Sequence, residues 1–140
     1  MQISPNEIAW DGGKVVMVFP WDGEKAAPTS STAALGGPIS TSDIYGCPTQ
    51  YFGADYYCFY EHIDWGGRRL QFKDYPQNIN FSNYGFDNET SSWVNGGAGT
   101  INVYDQPYVG TPFLWTEVPH SLSSWVGDAN NDRAESFSAY

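Results

Sequence analysis

The chain has 140 residues, with 16 acidic and 6 basic side chains and a net charge of −10. Proteins that bind nucleic acids need clustered Lys and Arg to neutralise phosphates, so this charge excludes that class. The longest apolar run, Val15 to Phe19, is far shorter than the roughly 20 residues that span a bilayer, so we expect no membrane insertion. Aromatic residues make up 17 % of the chain, enough to build the core of one domain.

Residues 1–22 are predicted to form an N-terminal arm with a short strand or hairpin. The apolar run Val15 to Phe19 follows the turn-forming Gly12 and Gly13 and ends at Pro20. A piece of this size does not fold alone, so it should dock on the main domain or on an identical subunit. The alternative is a poorly ordered remnant of a propeptide.

Residues 23–44 are predicted to be a linker, because they are rich in Pro, Ser, Ala, Thr and Gly and bury little. Most aromatic residues follow, which places the main domain at residues 45–140. No signal peptide is visible in the first fifteen residues. The start is therefore either cytoplasmic or that of an exported protein whose signal has been removed.

Cys47 and Cys58 are the two cysteines of the chain. A pair offers too few ligands for a metal site, and its spacing is not that of a redox motif. A structural disulfide is favoured over a reactive thiol pair, and it would stabilise the fold by roughly 3 kcal/mol. Disulfides persist in oxidising compartments, so we expect a secreted, extracellular protein.

The main domain contains an internal repeat with an offset of 44 residues. The offset carries Tyr60-Glu61 onto Tyr104-Asp105 and, without a gap, residues 87–92 onto residues 131–136. Two separate landmarks that agree on one offset indicate a duplicated unit.

Each repeat, over about residues 58–97 and 101–140, is predicted to consist of strands and turns. Short alternating segments flank Gly66 and Gly110, and no long helical periodicity is present. Units of this size cannot bury their own apolar face, so the two should pack as an all-β sandwich of two sheets. The basic residues Arg68, Arg69 and Lys73 are expected to face solvent from a strand.

These residues carry a family resemblance. The spacing from Phe59 to Gly66 resembles the Greek-key hairpin of βγ-crystallins, and residues 87–92 match that superfamily's calcium signature in full. The second copy departs from it at Glu135, which replaces Ser or Thr. Within the superfamily, the chain is similar to secreted bacterial members and to the crystallin-fold metalloproteinase inhibitors. The resemblance implies two Greek-key motifs.

The resemblance also implies two Ca²⁺ sites built from side-chain and carbonyl oxygens, the ligands that calcium prefers. One predicted site takes the side chains of Asn88 and Ser91 and the carbonyls of Glu89 and Asp105. The other takes the side chains of Asp132 and Glu135 and the carbonyls of Arg133 and Glu61. The alternative is that the motif is a folding device, since Asx and Ser side chains also form turns without an ion.

Three functions stay open from the sequence. The first is a non-enzymatic, calcium-binding module stabilised by Ca²⁺, and the second is an inhibitor of a secreted metalloproteinase. The third is a structural or assembly subunit, such as a decoration protein or part of an extracellular polymer, that joins identical subunits through the arm. Catalysis is not expected, because His62 and His120 lie in neither a nucleophile motif nor a zinc motif.

Overall fold

The computed structural model describes residues 1–28, 43–48 and 56–140. In this part of the chain, regular structure is β-strand with short 3₁₀ turns between strands. The strands are β1 Gln2–Ser4, β2 Glu7–Trp10, β3 Val15–Val18, β4 Asp43–Ile44, β5 Cys47–Pro48, β6 Tyr57–His62, β7 Gly66–Phe72, β8 Gln77–Asn80, β9 Ser92–Asn95, β10 Ile101–Gln106, β11 Gly110–Glu117, β12 Ser121–Ser123 and β13 Ser136–Ala139. A helix long and apolar enough to cross a bilayer is absent from these described residues.

Two antiparallel sheets form the sandwich. The first sheet has the strand order β1-β2-β3-β7-β6-β9-β12, and the second has the order β11-β10-β13-β8. The first repeat places β6, β7 and β9 in the first sheet and β8 in the second. The second repeat places β10, β11 and β13 in the second sheet and β12 in the first. This exchange is the Greek-key arrangement, and it confirms the predicted all-β sandwich of two Greek-key motifs.

Aromatic side chains fill the space between the sheets. Phe59 on β6 is fully buried, and its ring centroid lies 4.9 Å from that of Phe81 and 5.1 Å from that of Phe137. Phe72 on β7 lies 5.0 Å from Phe137. Alternate residues of a strand point to opposite faces, so the strands contribute every second side chain to this core.

The N-terminal arm adds strands to the first sheet of its own chain. β2 and β3 form a hairpin, and β3 pairs antiparallel with β7, with Val15 opposite Phe72 and Val18 opposite Arg69. The arm therefore docks on the main domain, which is one of the two placements that its size allowed. The predicted linker, residues 23–44, lies largely outside the described residues, except residues 23–28 and 43–44.

A further layer covers the outer face of the first sheet. Cys47 and Cys58 form the predicted disulfide, which fastens β5 to β6 with a Cα–Cα distance of 5.9 Å. Ala27 packs on the side chains of β3, and Arg69 on β7 is completely buried. The expectation that Arg69 faces solvent is therefore wrong, because residues 27–28 and the β4–β5 hairpin lie over that face.

Candidate functional site

The two copies of the repeated loop lie side by side. The Asn88 amide donates to the carbonyl of Ala134 at 2.8 Å, and the Asp132 amide donates to the carbonyl of Thr90 at 3.4 Å. The two hydrogen bonds are related by the offset of 44 residues, so the loops pair about an approximate two-fold axis. Asn88 and Asp132 also share a left-handed backbone conformation, with φ of 60° and 56°.

The last serine of the first loop closes the hairpin turn between β6 and β7. Ser92 Oγ donates to the His62 carbonyl at 2.7 Å and accepts the Trp65 amide at 3.0 Å. Asp64 and Trp65 have φ of 58° and 59°, which is costly for residues with a Cβ, so these bonds hold a strained turn. The ring of Tyr45, in the β4–β5 turn, stacks on Trp65 with centroids 3.7 Å apart.

The last serine of the second loop closes the corresponding turn between β10 and β11. Ser136 Oγ donates to the Gln106 carbonyl at 2.6 Å and accepts the Val109 amide at 2.9 Å. The Tyr108 amide donates to Asn80 Oδ1 at 2.7 Å. Tyr108 is 83 % exposed, so a backbone held by side chains from β8 and β13 presents its ring to solvent.

Oxygen atoms from both repeats converge at Ser91. Its Oγ lies 3.0 Å from the Glu61 carbonyl, 2.6 Å from Asn131 Oδ1 and 3.4 Å from Asp132 Oδ1. The Ser91 amide donates to the Tyr60 carbonyl at 2.9 Å, which fixes the loop against the end of β6. A carbonyl, an amide oxygen and a carboxylate oxygen thus lie within hydrogen-bond distance of the Ser91 hydroxyl.

This arrangement regroups the predicted ligands. The sequence placed Ser91 with the carbonyl of Asp105, whereas the structure places it with the carbonyl of Glu61 and beside Asp132. The physical reason is the paired-loop geometry, in which the serine at this position reaches across to the other loop. The metal-binding roles of these residues stay predictions.

The equivalent place in the second repeat holds Glu135. Its amide donates to the Tyr104 carbonyl at 3.0 Å, as Ser91 does to Tyr60, and its carbonyl accepts the Phe81 amide at 2.9 Å. The Asn88 amide bonds to the carbonyl of Ala134, so Asn88 lies beside Glu135 of the other loop.

Two arginine side chains pair with carboxylates beside the two loops. Arg68 donates to Glu61 through its amide and Nε, each at 3.2 Å, and its Nη2 lies 3.1 Å from Glu61 Oε2 and 3.8 Å from Glu89 Oε2. Burial alone would raise the pKa of Glu61, but the hydrogen bonds and charge of Arg68 outweigh it and lower that pKa. In the second repeat, Arg133 Nη2 forms an ion pair with Asp105 Oδ2 at 2.5 Å.

The donor set fits a hard cation. No group of three or more His, Cys, Asp or Glu side chains that could hold a metal occurs in the described residues, so a zinc-type centre has no support there. Calcium accepts the mixed set of carbonyl, amide, hydroxyl and carboxylate oxygens found at Ser91. The residue types around Ser91 therefore suit the ion that the sequence predicts.

Sequence reasoning placed a turn before Gly110 but missed the exposure of Tyr108 within it. The same offset of 44 residues carries Asp64-Trp65 onto Tyr108-Val109, and both turns have positive φ. The repeat relates the two turns, but it could not show that Tyr45 covers Trp65 while Tyr108 is exposed.

Comparisons with known proteins agree with this description. The sequence model of the peptidase inhibitor family I36 matches residues 41–116, which is more than half of the chain. No curated protein sequence matches the chain.

Solved structures support the fold. A βγ-crystallin domain from Clostridium beijerinckii matches with a TM-score of 0.51 and 25 % identity, over 60 % of this chain and 95 % of that chain. A βγ-crystallin from Ciona intestinalis matches with a TM-score of 0.51 and 19 % identity, over 61 % of this chain and 99 % of that chain. These matches confirm the predicted βγ-crystallin-like fold.

Proposed function

Because the chain belongs to the peptidase inhibitor family I36, we propose that it is a secreted, non-enzymatic inhibitor of a metalloproteinase. The family match over residues 41–116 carries this proposal. The disulfide between Cys47 and Cys58 supports the extracellular location, since such bonds persist outside the reducing cytosol.

The turn between β10 and β11 is the proposed contact with the peptidase. It lies within the matched residues and presents Tyr108, 83 % exposed, on a backbone bonded to Asn80 and Ser136. Exposed aromatic anchors supply much of the energy of protein interfaces, and a preorganised turn loses little entropy on binding. The matching turn at Trp65 is less suited, because the ring of Tyr45 covers it.

An inhibition assay tests the proposal. Increasing amounts of the protein are added to a thermolysin-like metallopeptidase, and we expect residual activity to fall. Tyr108→Ala should weaken inhibition by about tenfold or more, as the loss of an interface anchor does. Tyr140→Ala, which removes another exposed ring, is the matched control and should inhibit normally. Full residual activity at a large excess of the unaltered protein would contradict the proposal.

Calcium binding in the paired loops is a second proposed function, favoured by the oxygens around Ser91. The Glu61 carbonyl, Ser91 Oγ and the side chains of Asn131 and Asp132 would hold one ion. Bound calcium would offset the negative charge of these loops and stabilise the folded chain, by about 2.7 kcal/mol at a hundredfold excess over Kd.

The second ion would lie at the equivalent place, near Asn88, Glu135 and the Asp105 carbonyl. The backbone carbonyls of Glu89 and Arg133, in the same loops, are the further predicted ligands. A longer carboxylate at Glu135 in place of a hydroxyl makes the two sites unequal.

Melting curves with calcium and with a chelator test this second function. We expect calcium to raise the Tm of the unaltered protein and to raise it less in Ser91→Ala. Ser138→Ala, which removes a hydroxyl on β13 that takes no part in the contacts around Ser91, is the matched control and should keep the full shift. Equal Tm values with calcium and with chelator in the unaltered protein would rule out the site.

A further inference from the structure

One row of side chains on the outer face of the second sheet has no role in either proposed function. The strand register places Thr116, Asn102, Ser138 and Asn78 in one row across this face. Thr116 Oγ1 donates to Asn102 Oδ1 at 2.8 Å, and Asn102 Nδ2 donates to the Tyr140 hydroxyl at 2.9 Å. The row is therefore an ordered series of amide and hydroxyl groups at the surface.

Aromatic rings lie beside the row. Tyr104 and Phe113 are register partners on β10 and β11, and their ring centroids are 5.9 Å apart in an edge-to-face arrangement. Phe113 is 50 % exposed, and Tyr140 is 59 % exposed. Apolar ring surface and hydrogen-bonding groups thus lie next to each other on one face.

The four strands of the second sheet place no unpaired charged side chain on this face. The four strands of the second sheet contain two charged residues, Asp105 and Glu117. Glu117 is completely buried on the opposite face, and the Asp105 carboxylate is paired with Arg133. In a chain with a net charge of −10, a whole sheet face of neutral side chains is a distinct chemical surface.

We propose that the outer face of the second sheet binds a neutral polysaccharide. Sugar hydroxyls donate and accept hydrogen bonds, and so do the amide and hydroxyl side chains of this row. Aromatic rings pack against the C–H groups of sugar rings. The net charge of −10 repels anionic polymers, and a face without free carboxylates offers nothing to a cationic one.

The two sheets differ in their access to such a ligand. On the first sheet, the outward-facing Cys58, Tyr60 and Arg69 are buried under the disulfide-linked layer. On the second sheet, Asn78, Phe113 and Thr116 are exposed. The row of Thr116, Asn102, Ser138 and Asn78 shares no residue with the Tyr108 turn or with the oxygens around Ser91. Ser136 and Asn80, which hold that turn, lie one step further along the same face.

A depletion assay tests binding directly. The full chain is incubated with insoluble cellulose, with insoluble chitin and, as an anionic polymer, with cross-linked polygalacturonate. We expect saturable binding to cellulose or chitin that is unchanged between about 0.05 and 0.5 M NaCl, because screening affects only charged contacts. Failure to bind both neutral polymers, or binding to polygalacturonate alone, would overturn the proposal.

Two variants locate the site. Asn102→Asp places a charge in the centre of the row with little change of shape, and Phe113→Thr removes the exposed ring but keeps a strand-forming residue. Each should weaken binding about tenfold. Leu122→Thr, at a 45 % exposed position on β12 of the first sheet, is the matched control and should bind normally. Unchanged binding in both test variants, with unchanged Tm values, would overturn the assignment of this face.

Discussion

Arg69 in the first sheet and Glu117 in the second are both completely buried, and the two burials differ. Arg69, on the outer face of the first sheet, is completely buried and donates hydrogen bonds to three groups. Glu117, on the inner face of the second sheet, is also completely buried, but among the described residues only its Oε2 accepts a hydrogen bond. A buried charge is tolerated when its hydrogen bonds are satisfied. Arg69 can therefore stay charged, whereas the surroundings of Glu117 favour its neutral, protonated carboxyl.

The Arg69 guanidinium joins the first sheet to the layer above it. Its Nε donates to Gln71 Oε1 at 3.0 Å, and its Nη atoms donate to the carbonyls of Ala27 at 3.1 Å and Pro28 at 2.7 Å. A Cβ on Gly46 would overlap the guanidinium, so the β4–β5 turn packs directly on it. Arg69 therefore connects the first sheet to the layer over it, because its guanidinium donates hydrogen bonds to both.

The largest predicted effect is the loss of this cation. Arg69→Met keeps most of the volume but leaves the Ala27 and Pro28 carbonyls without their donor, so we expect the free energy of unfolding to fall by about 3–5 kcal/mol. Urea denaturation measures it. Arg133→Met removes a partly exposed ion pair with Asp105 and should cost at most about 1 kcal/mol. Equal losses in the two variants would contradict the contrast between buried and exposed arginines.

The disulfide should have the next largest effect. It fastens the same layer to β6, and it closes a loop with a sequence separation of 11 residues. Cys47→Ser combined with Cys58→Ser should lower the free energy of unfolding by roughly 3 kcal/mol, mainly because the unfolded chain regains the freedom of that loop. Reduction of the unaltered protein should give a similar loss in urea denaturation. A loss below about 1 kcal/mol would show that the layer is held by Arg69 and packing alone.

The sequence predicted the repeat, the sandwich and the disulfide because each rests on local pattern. An offset of 44 residues is visible in Tyr60 and Tyr104, and alternating strands follow from short segments between turns. Arg69 could not be placed in this way, because a strand's outward face is exposed or buried according to what covers it. The residues that cover it, Ala27, Pro28 and Gly46, are distant in sequence and carry no motif.

For a similar reason, the sequence could not show which of the predicted calcium ligands lie together. The motif shows that Asn88 and Ser91 belong to one loop, but not that Ser91 reaches the Glu61 carbonyl and Asp132. That depends on how the two loops pair across the approximate two-fold axis, which is a tertiary contact. The same holds for Ser92, whose hydroxyl closes the turn at His62, 30 residues away in sequence, rather than a turn in its own loop.

The buried Glu117 carboxyl of the second sheet should make the free energy of unfolding depend on pH. Burial raises the pKa of this carboxyl well above its usual value, and the hydrogen bond from Trp115 Nε1 offsets only part of the shift. The other oxygen, Oε1, has no hydrogen-bond partner among the described residues. A raised pKa in the folded state contributes stability that is full below the pKa of the unfolded chain and is lost as pH rises towards the folded pKa.

Glu117→Gln cannot ionise, so the variant lacks this loss. We expect its free energy of unfolding, relative to the unaltered protein, to increase from pH 4 to pH 8, by at most about 1.4 kcal/mol per pH unit. Urea denaturation at several pH values measures the difference. A difference that stays constant with pH would show that folding does not raise the pKa of the Glu117 carboxyl.

The smallest predicted effect compares the two closing serines. Ser92→Ala and Ser136→Ala each remove a buried hydroxyl that accepts one amide and donates to one carbonyl, so each should cost about 1–2 kcal/mol. The turns should respond differently, because Tyr45 stacks on Trp65 and Trp65 Nε1 donates to the Trp93 carbonyl at 3.1 Å.

The second turn has no such cover, since the Tyr108 ring is exposed and its backbone depends on Asn80 and Ser136. Hydrogen exchange should therefore accelerate more at the amide of Val109 in Ser136→Ala than at the amide of Trp65 in Ser92→Ala. Ser121→Ala, on β12, is the control and should leave both amides unchanged. Equal acceleration in the two turns would mean that the layer over the first sheet stabilises β6 and β7 without holding the turn between them.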